Sequence, residues 1–178
     1  MHPRIQELLD YNAEQRLALE RALDAVPLAL RDVPSVHNSW STAGIIEHLA
    51  IVSGRVAKLI NVRVAEARAS GLALETCTDP ILPTLDLGRV LDRSMRVEAP
   101  PMIHPTGLSA DAAWASLQAA TVPFREAVMN ADGLALANIT HPHPLFGPLT
   151  MYEWIAFVGG HEARHAAQIV ELAAKHRP

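Results

Sequence analysis

Two histidines near the C-terminal end of the sequence, His161 and His165, have a spacing that suits metal binding. Residues four apart on an α-helix project from the same face about one turn apart, so both imidazoles can reach one ion. Imidazole is a good ligand for zinc and nickel. The alternative is that the pair lies by chance on a solvated helix face, and the helix that carries it must decide between the two.

The predicted last helix places both histidines on its apolar face. Trp154, Val158 and Leu172 recur with them at the three- and four-residue spacing of an amphipathic helix. A pair on a solvated face would lie opposite these apolar residues. The pattern therefore favours metal binding, and a third ligand is expected from another helix.

His48 lies inside the apolar stripe of an earlier predicted helix. A histidine there is commonly a hydrogen-bonded core residue, and this alternative stays open. Metal sites in helical bundles are built from side chains on facing helices, so His48 is the natural partner of His161 and His165. Three histidines and a water form the pattern of a catalytic zinc site. We expect a divalent ion, zinc or nickel, that activates a bound water or thiol.

Four amphipathic segments must position these residues, which predicts an all-α four-helix bundle with a long crossover between helices 2 and 3. Pro123 lies inside the third segment and predicts a kink or a break. The whole chain, 1–178, is expected to form one domain. The predicted helices run from Ile5 to about Val26, from an N-cap at Ser41 to about Ala69, from Ser109 to about Asn130, and from a capping box of Thr150 and Glu153 onward.

The irregular crossover, about 71–108, contains five prolines and no helical periodicity. A stretch this long indicates either a functional lid or a connection between distant helix ends. A short helix or strand is possible within 85–97. A second proline-rich stretch, 141–148, predicts a rigid loop that carries His141 and His143.

The segment His161-Glu-Ala-Arg-His165 also satisfies the H-E-x-x-H pattern of zinc proteases. Those enzymes take a third ligand downstream, and the metzincin continuation would require glycine and histidine where this chain has Gln168 and Glu171. Glu162 is therefore a weaker candidate for a general base, and it is alternatively a supporting partner of a ligand or an exposed helix charge. The preceding Gly159 and Gly160 either clear space for a substrate or let helices pack closely.

Composition excludes several other classes of function. The net charge is −4 and the basic residues are scattered, which disfavours nucleic-acid binding. The single cysteine, Cys77, excludes an intramolecular disulfide and a thiolate metal cage, and we interpret it as a small apolar filler. No apolar run is long enough to span a membrane, and the N-terminus lacks a signal-peptide layout, so we expect a cytoplasmic location.

Three stretches of the sequence resemble the DinB-like (DinB/YfiT) superfamily. Asn38 to Leu49 is similar to its W-S-x-x-x-I-x-x-H-L motif, and His143 to Thr150 is similar to H-P-x-F-G-x-L-T. His161 to Gln168 matches H-x-x-x-H-x-x-Q. The resemblance covers most of the chain and is weakest over 71–105. It implies an up-down-down-up bundle, in which the long crossover joins two parallel helices.

The resemblance also implies that His48, His161 and His165 are metal ligands. Characterised members include thiol S-transferases and a thiol-dependent isomerase that use low-molecular-weight thiols, and others are described as hydrolases or stress-induced proteins. We therefore expect a metal-dependent transferase or hydrolase acting on a small molecule, with His143, Glu162 and Gln168 as catalytic candidates. The resemblance further suggests a homodimer. The alternative is a non-catalytic stress-response protein with a structural or vestigial site.

Overall fold

The computed structural model describes residues 1–34, 40–95 and 98–175. Asn38 and Ser39, the start of the first DinB-like motif, lie outside these ranges. Within them, no helix combines the length and apolar character needed to cross a membrane. The helices are α1 (Pro3–Asp24), α2 (Thr42–Ala69), the short α3 (Gly88–Leu91), α4 (Ala110–Asn130) and α5 (Met151–Lys175).

The four long helices form two neighbouring pairs, α1 with α5 and α2 with α4. Asn12 donates to the carbonyl of Ile155, and Arg16 contacts Glu162, so α1 and α5 run parallel. The starts of α2 and α4 pack in one apolar cluster and their ends in the other, so these helices also run in one direction and the chain between them must return along the bundle. This arrangement confirms the predicted up-down-down-up four-helix bundle and its crossover.

Apolar side chains fill the bundle as two clusters, one toward each end. On α5 the first cluster ends at Val158 and the second begins at Ala166. The two helical turns between them carry the buried Glu162 and His165. The bundle therefore contains a polar layer between two apolar clusters, at the turn of the predicted ligands.

The predicted helix starts are confirmed by their capping contacts. The hydroxyl of Ser41 accepts from the amide of Gly44 at 3.1 Å. Glu153 accepts from the amide of Thr150 at 2.7 Å, and the hydroxyl of Thr150 accepts from the amide of Glu153 at 3.2 Å, which is a complete capping box. At Pro123, however, α4 continues as one helix, so the expected break does not occur.

Hydrogen bonds attach the crossover to both α2 and α5. The guanidinium of Arg164 donates to the carbonyls of Asp92 and Met95, and Arg55 donates to the carbonyl of Met102 at 2.9 Å. The possible short element within 85–97 is α3; residues 96 and 97 lie outside the described ranges.

The loop expected over 141–148 is instead a hairpin of β1 (Thr140–His143) and β2 (Gly147–Thr150). Pro142 lies opposite Pro148 in its register. Because each strand has only one partner, a proline can point its missing donor away from the ladder, and the hairpin tolerates both residues.

Cys77 is not the apolar filler that the sequence suggested. Its Sγ accepts a hydrogen bond from Arg4 at 2.8 Å, and Arg4 also pairs with Glu75. Glu75 in turn accepts from the hydroxyl of Tyr152 at 2.9 Å. This polar group attaches the start of the crossover to α1 and α5.

Candidate metal centre

His48 on α2 and His161 and His165 on α5 come together between the two helices. Nε2 of His161 lies 3.4 Å from Nε2 of His48 and 3.1 Å from Nε2 of His165. The three ligand atoms all lie within 4.8 Å of one another. His48 and His165 are 3% and 8% exposed, whereas His161 is partly exposed. The cluster is thus nearly buried, and His161 is its least buried residue.

Two of the rings are oriented by hydrogen bonds at their far nitrogens. Nδ1 of His48 lies 2.8 Å from the carbonyl oxygen of Ile103, and Nδ1 of His165 lies 2.8 Å from Oε1 of Gln168. A carbonyl oxygen only accepts, so each Nδ1 carries the proton. In the neutral ring, Nε2 then presents a lone pair to the centre of the cluster.

Burial keeps the three imidazoles neutral. It lowers the pKa of His165 to about 3, with a further contribution from His48. Burial, followed by the neighbouring His165 and His48, holds the pKa of His161 well below its ordinary value. Burial also lowers the pKa of His48, against the opposing effect of the Ile103 carbonyl. Neutral imidazole is the form that binds metal ions.

This arrangement fits a divalent metal ion. His161 has one proton to offer, so its Nε2 can donate to only one of the two lone pairs that face it. A cation at the centre would satisfy all three nitrogens. Zinc–nitrogen distances of about 2.0–2.1 Å at tetrahedral angles place ligand nitrogens about 3.3 Å apart. Two of the three separations in the cluster, 3.1 and 3.4 Å, bracket that value, and the third is at most 4.8 Å.

Aromatic rings surround the cluster. The ring centroid of Trp40 lies 4.8 Å from that of His48, and Phe157 stacks on His161 at 5.2 Å with 15° between planes. The ring centroid of His143 lies 5.0 Å from that of Phe157. Burial, and then the charge of Arg89, lowers the pKa of His143 to about 4. His143 is therefore linked to the three-histidine cluster through Phe157, which contacts both His143 and His161.

The two other catalytic candidates also contact groups outside the centre of the cluster. Gln168 binds the outer nitrogen of His165, which favours a supporting role for it. Glu162 is 3% exposed, so its interpretation as an exposed charge is wrong. Both of its oxygens bind Arg16 of α1. The catalytic assignments of His143, Glu162 and Gln168 stay predictions.

The two glycines before His161 allow close packing. A Cβ at Gly159 would lie 2.8 Å from Cε1 of Tyr11, and one at Gly160 would lie 2.8 Å from Cγ1 of Val90. Helix α1 and the crossover occupy the space beside these residues. The structure therefore favours the packing interpretation over cleared space for a substrate.

Sequence reasoning missed Glu47, the neighbour of His48, although a carboxylate in an apolar helical run is a signal. Glu47 is 3% exposed and accepts hydrogen bonds from the backbone amides of Thr106, Gly107 and Leu108 at 2.8–3.1 Å. Burial alone would raise the pKa of Glu47, but these bonds and the Thr106 hydroxyl lower it. Glu47 thereby anchors the end of the crossover to the turn of α2 that carries His48.

The fold and the cluster together define a helical-bundle protein with three converging histidines. A sequence profile of the DinB superfamily matches residues 5–169, and the chain belongs to that superfamily. This membership and the cluster are compatible with a metal-binding protein and suggest a divalent metal site.

Two similar proteins support the family and the fold. The uncharacterized protein YuaE of Bacillus subtilis (strain 168) is 25% identical over 148 residues, covering 82% of this chain and 84% of YuaE. Among solved structures, the chain is similar to TT2238, described as a four-helix bundle protein. The TM-score is 0.63 at 22% identity, and the match covers 92% of this chain and 96% of that one. A likeness at that identity concerns the fold alone.

Proposed function

We propose that this protein is a metal-dependent enzyme in which His48, His161 and His165 bind one divalent ion, zinc or nickel. The reaction class is transfer to a low-molecular-weight thiol, or hydrolysis, of a small-molecule substrate. The DinB-like family resemblance supports this class, since characterised members use such thiols.

The observation that carries the proposal is the convergence of the three Nε2 atoms while two Nδ1 atoms are held by acceptors. A purely structural hydrogen-bonding cluster would pair donors with acceptors at its centre. Here the Nε2 lone pairs of His48 and His165 both face His161, an arrangement typical of metal ligands.

The chain's own residues prepare this chemistry. Ile103 and Gln168 fix two imidazoles in the ligand tautomer, and Trp40 and Phe157 exclude water from the rings that they cover. A bound ion would lower the pKa of a coordinated thiol or water. The partial exposure of His161 supports access for a small molecule, which a catalytic site requires.

Metal analysis of protein purified without a histidine tag tests the proposal. We expect close to one ion per chain, and we expect added zinc or nickel to raise the melting temperature of the stripped protein. His48→Ala, His161→Ala and His165→Ala should each abolish that rise. His2→Asn should retain it, because the His2 side chain caps the start of α1 and is not part of the three-histidine cluster. A stripped wild type that neither binds nor responds to either ion contradicts the proposal.

His48→Ala also separates a catalytic ion from a structural one. Loss of a structural ion should cost much of the folding stability, whereas loss of a catalytic ion should abolish turnover of a thiol or ester probe with a smaller change in stability.

A further inference from the structure

The turn of α5 that carries the two histidines has little apolar packing to fix its orientation. Between Val158 and Ala166, none of its residues belongs to either apolar cluster. Gly159 and Gly160 have no side chains and are poor helix formers. The polar contacts of this segment, such as those of Arg164 with the crossover, therefore help to determine how it is rotated about the helix axis.

Glu162 supplies such a contact. It lies between the two histidines in sequence, about 100° around the helix from His161 and about 60° from His165, so it points to the side of the cluster. Oε2 accepts from Nε of Arg16 at 2.8 Å, and Oε1 accepts from Nη2 of Arg16 at 2.5 Å. This two-point geometry fixes direction as well as distance.

Arg16 is itself held in place. Its remaining terminal nitrogen donates to the hydroxyl of Thr121 at 2.6 Å, and that hydroxyl donates to the carbonyl of Leu117 at 3.1 Å. A single guanidinium thus connects α1, α4 and α5 at the level of the ligands. The Glu162 side chain is 3% exposed and the Arg16 side chain is 18% exposed.

Small rotations of α5 matter for metal binding. A rotation of about 15° moves an atom about 7 Å from the helix axis by roughly 2 Å. Metal–ligand distances tolerate deviations of only about 0.2 Å. A buried ion pair is weak as a source of stability, since desolvation opposes the attraction, but it can specify one arrangement over others.

We propose that Arg16 and Glu162 are positioning residues that set the rotation of α5, so that His161 and His165 meet His48 in a metal-binding geometry. This inference rests on the proposed metal site. In this proposal, the Glu of the H-E-x-x-H sequence fixes the orientation of the two histidines through its contact with α1 and, through Arg16, with α4.

Cobalt(II) binding to the full chain tests the proposal, because Co²⁺ accepts the same ligands and its visible absorption spectrum reports coordination geometry. The test variant is the double substitution Arg16→Met/Glu162→Leu, which removes both charges and roughly conserves volume. We expect its melting temperature without metal to be retained or raised. We expect its Co²⁺ affinity to fall about tenfold or more, with a changed spectrum.

The matched control is Arg93→Gln/Glu171→Gln, which removes an ion pair that also reaches α5. It should keep the wild-type affinity and spectrum. If the Arg16→Met/Glu162→Leu variant does not fold, Arg16→Lys carries the test alone, since lysine cannot reproduce the two-point contact. It should weaken Co²⁺ binding and alter the spectrum.

A folded test variant with wild-type affinity and spectrum overturns the positioning role while leaving the metal site intact. A lowered melting temperature with an unchanged spectrum does the same, because it indicates a structural role only. If the wild type binds no Co²⁺, the proposed function fails and the positioning role fails with it.

Discussion

At the scale of single residues, the hydrogen bonds behind the histidines determine which nitrogen faces the cluster. Gln168 holds Nδ1 of His165, and a backbone carbonyl holds Nδ1 of His48. His161 is different, because its neighbours are the stacked ring of Phe157 and the two other imidazoles. Of the two hydrogen bonds to Nδ1 atoms, only the one to Gln168 involves a side chain and can be removed by a substitution.

Gln168→Ala should lower metal affinity about 10- to 100-fold with a small effect on the folding of the metal-free protein. Without Oε1, His165 loses the acceptor that fixes its tautomer and orientation. Competition with a chromophoric chelator measures the change. Gln118→Ala, at an exposed position of α4, is the control and should bind metal as the wild type does. Equal affinity in the two variants would show that the contact has no influence on the site.

At the scale of elements, α5 is the helix on which the site depends. Tyr11 of α1 packs on Gly159, and Val90, in α3, packs on Gly160. Each glycine therefore allows a different neighbour to pack closely against α5. This close packing offsets the cost of the two glycines to helix stability.

Gly159→Ala should destabilise the protein by about 1–3 kcal/mol, because the new methyl group would overlap the ring of Tyr11. Gly54→Ala is the matched comparison within α2, where no atom lies within 4 Å of the added Cβ. It should stabilise the protein by about 0.5–1 kcal/mol through helix propensity alone. Thermal denaturation of both variants gives the comparison. Stabilisation by Gly159→Ala would show that α1 can move away at little cost.

At the scale of the whole molecule, two carboxylates, one buried and one partly buried, attach the irregular crossover to the bundle at its two ends. Glu47 holds the end before α4, and Glu75 holds the start after α2. Burial alone would raise the pKa of Glu75, but hydrogen bonds from Cys77, Tyr152 and Arg4 lower it below its ordinary value near 4.5. These two carboxylates make stability depend on pH.

A carboxyl group with a depressed folded-state pKa stabilises the fold fully above its unfolded value, and this contribution is lost as pH falls through the folded value. The free energy of unfolding should therefore decline below about pH 4.5. Glu75→Gln should be less stable at neutral pH and should show a shallower decline in acid. Urea denaturation between roughly pH 3 and pH 7 measures both. Glu20→Gln, on the exposed side of α1, should keep the wild-type profile; a steep wild-type slope in Glu75→Gln would contradict the assignment.

The sequence by itself determined the four long helices, their caps and the pairing of His161 with His165. Helical periodicity and capping depend on residues three or four positions apart, so they can be read from the chain directly. The apolar stripe of the second helix indicated His48 as the candidate third ligand, and the family motifs added the direction of the helices.

Only the tertiary structure decided which groups contact these histidines. The acceptor for His48 is a carbonyl 55 residues away, and Arg16 is 146 residues from Glu162. The obstacle at Gly159 is a tyrosine on another helix. Such contacts arise from how separate elements pack. Local spacing therefore identified the histidines, whereas packing fixed their tautomers, their orientation and the burial of the glutamate between them.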